Sequence, residues 1–103
     1  MKIKTGEFYA MDHENIDGVI ETNILYVLGV RENTTIEVAK QFYVTETMFL
    51  IDGQFDSIYK NDWLGEFFER KATPQEIDLF HQQKKQNPEL KQWAELVTGV
   101  WIS

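Results

Sequence analysis

The sequence predicts an α+β fold. A small antiparallel sheet of three to five strands forms from the N-terminal two-thirds, and two short C-terminal helices pack on it. Three observations predict it. Residues 22–30 and 41–51 are rich in β-branched and aromatic residues and flank the polar stretch Arg31-Glu32-Asn33-Thr34, as a hairpin needs. Asp52-Gly53 supplies a second turn signal. The last third carries two helix-start signals in succession.

Taken in chain order, residues 3–10 read as a first strand, 22–30 as a second and 41–51 as a third. Thr73-Pro74-Gln75-Glu76 then opens a helix. Thr73 accepts from the backbone amide three residues on, Glu76 reaches back, and Pro74 occupies the first helical position, where no donor is missed. Ile77, Phe80 and Lys84 fall on one face, and the helix runs to about Gln86. Asn87-Pro88 repeats the device. Leu90, Trp93, Ala94 and Val97 then follow amphipathic helical spacing, with Gly99 as C-cap and Val100-Trp101-Ile102 as an apolar tail that docks. The chain of 103 residues reads as one domain, strand-rich over 1–68 and helical over 73–98.

An alternative reading is mainly α, with a helix-turn-helix-like segment at 34–54. Thr34-Thr35-Ile36-Glu37 is a capping-box pattern, and the run from Glu37 to Thr45 resembles the centre of that motif, with Ala39 at the helix contact and Val44 after the turn. Three features depart from it. Tyr43 stands where the turn has glycine, Asp52 stands where the recognition helix buries an apolar residue, and Glu46–Ile51 holds no base-reading or phosphate-binding side chain. This reading makes the chain a transcription regulator and requires a basic patch of Lys40, Lys60, Arg70 and Lys71.

Composition limits the function. Ten basic and seventeen acidic residues give a net charge of -7, which opposes general binding to nucleic acid or to anionic membranes. Without cysteine there are no disulfides, thiolate metal sites or thiol catalysis. The polar, acidic start does not match a secretory signal, and no apolar run reaches the ~18 residues of a membrane span, so a cytoplasmic location is expected. No Gly-x-Ser-x-Gly elbow and no glycine-rich phosphate loop occurs.

Two constellations have metal-ligand character. Asp52, Asp56 and Glu69-Arg70-Lys71 resemble the spacing of a metal-dependent nuclease, with Asp56 and Glu69 at the matching distance; there carboxylates hold Mg²⁺ and the lysine orients water. A solvated charged face explains the same residues. Asp12-His13-Glu14 could join His81 at a metal, but consecutive residues rarely converge on one ion. The expectation is therefore no catalytic residues, no metal and no cofactor.

The segment 55–68 interleaves large apolar side chains with Asp56, Asp62 and Glu66. Ile58, Trp63, Leu64 and Phe67 or Phe68 serve as core on one reading. On the other, tyrosine and tryptophan anchors rimmed by acids form a partner surface, with Asp52, Asp56, Tyr59, Asp62, Trp63 and Glu66 as candidates. Fourteen aromatics are many for so small a core, which favours exposure of some.

The stretch Phe68-Glu69-Arg70-Lys71-Ala72-Thr73-Pro74-Gln75-Glu76-Ile77 resembles a junction in small uncharacterised proteins of bacterial phages and mobile elements, where a strand-rich front ends in an aromatic–acidic pair before a helix. The resemblance spans about ten residues and implies a short accessory protein; it carries over no functional residue. Together these observations suggest a non-enzymatic protein that binds a protein partner, with a homodimer also open. A sharper form is an inhibitor of a nucleic-acid-processing host protein, of the anti-restriction or anti-CRISPR type. Its acids would stand in for phosphates, drawing on Asp12, Glu14, Asp17 and Glu21 with Asp52, Asp56 and Asp62.

Overall fold

The computed structural model describes residues 1–33 and 40–90. It contains strands β1 (Phe8–Glu14), β2 (Ile20–Asn33), β3 (Lys40–Ile51), β4 (Gln54–Leu64) and β5 (Arg70–Lys71), a single 3-10 turn at Gly65–Phe67, and helix α1 (Pro74–Gln86). The strands form one antiparallel sheet in the order β4-β3-β2-β1-β5. The first four make a meander. The segment after β4 then returns to the opposite edge, where β5 pairs Lys71 with Tyr9 and Arg70 with Ala10. The fold is α+β, as the sequence predicts.

Alternation sorts the side chains onto two faces. Ala10, Ile24, Met48, Leu50 and Ile58 point to one face and pack with Phe80 of α1. Tyr9, Met11, Leu25 and Val27 point to the other and pack with Phe68, Ile3, Tyr43 and Trp63. Because both faces are occupied, β2 and β3 read as near-continuous apolar runs rather than as clean alternation. That property made residues 34–54 ambiguous in sequence. Residues 40–51 are a central strand paired on both sides, so the helix-turn-helix reading is overturned there, and 34–39 lie outside the described residues.

Turn chemistry sets the register. Asp52 and Gly53 both have positive φ, 52° and 76°, between the paired residues Ile51 and Gln54. Such a two-residue turn matches the twist of the strands it joins. Between β1 and β2, Asn15 Oδ1 accepts from the amides of Asp17 and Val19. Two bulges adjust the long strands. Leu28 is the extra residue between Val27 and Gly29, and Asp56 the extra one between Phe55 and Ser57.

Several boundaries differ from the sequence reading. The first strand begins at Phe8 instead of residue 3, because Gly6, with φ 84°, turns the chain first. Residues 2–4 fold against Tyr9, whose hydroxyl accepts from the Lys4 amide at 2.8 Å. Arg31-Glu32-Asn33 continue β2 and pair with Phe42, Gln41 and Lys40 instead of forming the turn. One helix is described where two were expected. Asn87 caps α1, with its side-chain amide donating to the Gln83 carbonyl, and residues 87–90 are not helical. The rest of the second helix, with Trp93, Ala94, Val97 and Gly99, and the tail Val100-Trp101-Ile102, lie outside the described residues.

Helix α1 starts as expected. Thr73 Oγ1 accepts from the Glu76 amide at 3.2 Å, and the Glu76 carboxylate accepts from the Thr73 amide at 2.8 Å. Phe80 docks on Phe8, with ring centroids 5.1 Å apart and nearly perpendicular. Lys84 reaches Glu46 of β3 at 2.7 Å. Arg70 ties helix to sheet, forking onto Glu76 at 2.8 and 2.9 Å and onto Asp12 at 3.0 and 3.2 Å. Among the described residues no helix is long and apolar enough to cross a membrane.

Candidate functional site

The site lies on the sheet face away from α1. Its floor is a buried polar chain. Trp63 Nε1 donates to Thr47 Oγ1 at 3.1 Å, Thr47 and Thr45 share a hydroxyl hydrogen bond of 2.7 Å, and Thr45 Oγ1 donates to Asn61 at 3.0 Å. Thr45 and Thr47 are fully buried. The indole is therefore held from its nitrogen, and its ring is fixed as one wall. The Asn61 Nδ2 has no partner among the described residues.

The 3-10 turn supplies the second wall. A Cβ on Gly65 would stand 3.0 Å from the Tyr43 ring and 3.2 Å from the end of the Ile3 side chain, so any larger residue would have to push these neighbours aside for the turn to lie as close to the sheet. The next residues are thereby set over the face. Phe68 is buried between Tyr9 and Tyr43, with centroids 5.4 and 5.5 Å away. Phe67 points outward, 47% exposed, with its ring 5.9 Å from Trp63 and 70° to it.

Beside these walls two concavities adjoin. The larger, about 430 Å³, is lined by Met11, Asp12, His13, Glu21, Asn23, Phe49, Trp63, Glu66, Phe67 and Glu69. The smaller, about 330 Å³, is lined by Glu21, Asn23, Phe49, Leu50, Ile51, Asp56, Ser57 and Tyr59. Glu21, Asn23 and Phe49 belong to both, so they form one trough. The trough follows a cross-strand row, in which Met11, Asn23, Phe49 and Ser57 are successive register partners. Phe49 and Tyr59 add an edge-on aromatic pair 6.2 Å apart.

Of the six sequence candidates, four border this trough. Asp56 and Tyr59 line one part, Trp63 and Glu66 the other. The remaining two do not. Asp52 sits at the hairpin tip, and Asp62, opposite Val44 on the other face, is paired with Arg31. The wider acidic set divides similarly. Glu21 lines the trough, Glu14 and Asp17 are exposed around the β1–β2 loop, and Asp12 is engaged by Arg70 and Thr22. The Arg70 fork holds the Asp12 and Glu76 carboxyls below their ordinary ranges and raises the guanidinium's own pKa.

Sequence reasoning did not single out Asn23 or Phe49. Only the strand register, with its bulges, places them in one row with Met11. Phe67, read there as a core candidate, is an exposed wall.

The proposed metal constellations are not assembled. Asp56 is on β4 and Glu69 borders β5, at opposite edges of the sheet, and Glu69 accepts from the Asp12 amide at 2.7 Å. His13 lies on the trough face, whereas His81 is on α1 with its ring 5.4 Å from Phe8. Among the described residues no group of three or more histidine or carboxylate side chains could hold a metal. Lys60 of β4 is likewise separated from Arg70 and Lys71 of β5, and Arg70 is spent on two carboxylates, so these three do not form the basic patch a regulator needs. No family model, no curated protein and no solved structure matches the chain.

Proposed function

We propose that this chain is a non-enzymatic binding protein that docks a basic protein partner on the sheet face away from α1. One observation carries the reading: exposed Phe67 and half-buried Trp63 stand in a trough bordered by Glu21, Asp56, Glu66 and Glu69. Aromatic anchors in a concave setting are what interfaces use for affinity, and an acidic rim selects the sign of the partner. The net charge of -7 extends that preference over longer range. It also opposes self-association through this face, which favours a foreign partner over a homodimer.

The finer form of the proposal is an accessory inhibitor, of the kind phages carry, that occupies the basic groove of a nucleic-acid-processing host protein. Carboxylates spaced along a rigid sheet compete there for the lysine and arginine side chains that otherwise hold phosphate. The trough acids replace the earlier set, because Asp62 is neutralised by Arg31.

The test is capture from a host lysate with tagged protein, with and without nuclease, followed by mass spectrometry. A stoichiometric nucleic-acid-processing protein that stays bound after nuclease, and is lost with Glu21→Lys and Asp56→Lys, is the expected result. Recovery of DNA alone, released by nuclease, would overturn the proposal.

A further inference from the structure

We infer that the larger part of the trough is a receptor for one arginine side chain presented by the partner, a step that rests on the docking proposal and narrows it. Three observations point to a planar cation. Trp63 and Phe67 meet at 70° with centroids 5.9 Å apart, so they form an aromatic corner whose ring faces can accept a cation. Glu21, Glu66 and Glu69 line the same concavity, and among the described residues none of the three is in an ion pair. No lysine or arginine lines the concavity from within. Asp12, which also lines it, is paired with Arg70, so the negative potential of the site comes from the three glutamates.

The choice of arginine over other cations follows from shape and hydration. A volume of about 430 Å³ is far larger than a metal ion needs. The carboxylates also do not converge as a coordination shell. A guanidinium is flat, weakly hydrated and always charged. It stacks on an indole while its edge forks onto carboxylates, which a strongly hydrated ammonium does less well. The Trp63 ring is already immobilised through Thr47, so stacking on it costs little ordering.

The experiment titrates a hexa-arginine peptide into the full chain and follows the indole N–H resonance of Trp63, one of three tryptophans. Saturable movement of that resonance is expected, with hexa-lysine binding more weakly. Glu66→Gln and Phe67→Ala, both at exposed positions, should each weaken binding about fivefold. Asp78→Asn makes the same charge change on an exposed turn of α1 and should leave binding unchanged. A stationary Trp63 resonance overturns the inference, as does equal binding of hexa-lysine or equal weakening in Asp78→Asn. Partner capture that is lost with Asp56→Lys yet intact with Glu66→Gln and Phe67→Ala would overturn the arginine pocket and uphold the docking face. Capture retained by all of these variants would overturn the docking face as well.

Discussion

Both faces of the sheet carry an apolar cluster, but only the face away from α1 adds the buried threonine–tryptophan chain. The face under α1 is closed by apolar contact: Phe80 packs on Phe8, Tyr26 and the Met48–Leu50–Ile58 cluster. The opposite face has its own apolar cluster, Tyr9, Met11, Leu25, Val27 and Phe68, but beside it runs a buried hydrogen-bonded chain from Trp63 through Thr47 and Thr45 to Asn61. Its outer part is left open and acidic. Apolar packing is nondirectional and tolerates adjustment. A buried polar chain fixes rotamers, because each member must keep its partner. A protein that must present an aromatic wall in one orientation gains from placing that chain beneath the wall. The covered face supplies stability, and the open face supplies a defined surface.

The largest expected effect breaks the covered face. Phe80 is 2% exposed and is the buried anchor of α1. Phe80→Ala removes the ring from Phe8 and Tyr26 and should cost about 3–5 kcal/mol in urea denaturation. A loss below about 1 kcal/mol would mean that the sheet is stable without its helix. A smaller effect sharpens the other side of the comparison. Thr47→Val keeps shape but removes the hydroxyl, leaving Trp63 Nε1 and Thr45 short of a partner. The expected cost is about 1–3 kcal/mol, with a displaced Trp63 indole N–H resonance. An unchanged resonance would show that the indole is held by packing alone.

Much of the covered face was legible in the sequence. Thr73-Pro74-Gln75-Glu76 fixes the helix start through local chemistry, and Phe80 and Lys84 meet the sheet as their spacing predicts, with Leu79 beside Phe80 in the core cluster. Asp52-Gly53 fixed a hairpin for the same reason. The open face was harder to read. Its row Met11–Asn23–Phe49–Ser57 draws one residue from each of four strands, and the bulges at Leu28 and Asp56 shift alternation partway along β2 and β4. Burial on both faces also erased the period of two in β3 and left room for a helical reading of 34–54. Trp63 and Glu66 were visible as unusual neighbours, while Phe67 and Phe68 could not be assigned to wall and core without the turn at Gly65.

The third prediction concerns the junction between the faces' supports. Arg70 lies on β5 and holds Asp12 of β1 and Glu76 of α1 in one fork. Hydrogen bonding from Arg70 is the main cause that lowers both carboxyls from ordinary values of 3.8 and 4.5. Lowered folded-state values mean that the unfolded chain binds these protons more readily. Their contribution is therefore present above the ordinary carboxylate range and is lost as pH falls through the folded-state values. Arg70 itself, pushed further upward by its hydrogen bonds to Glu76 and Asp12, stays charged throughout and adds no transition below that range. The Asp12 side chain is 41% exposed and Arg70 35%, so solvent screening discounts the pairing to about 1 kcal/mol at neutral pH. Arg70→Gln should show that loss at pH 7, and the gap to the unsubstituted chain should close as pH falls below about 4. Urea midpoints measured across that range give the answer. A gap that is constant with pH would assign Arg70 a packing role, with its aliphatic stem mattering more than its charge.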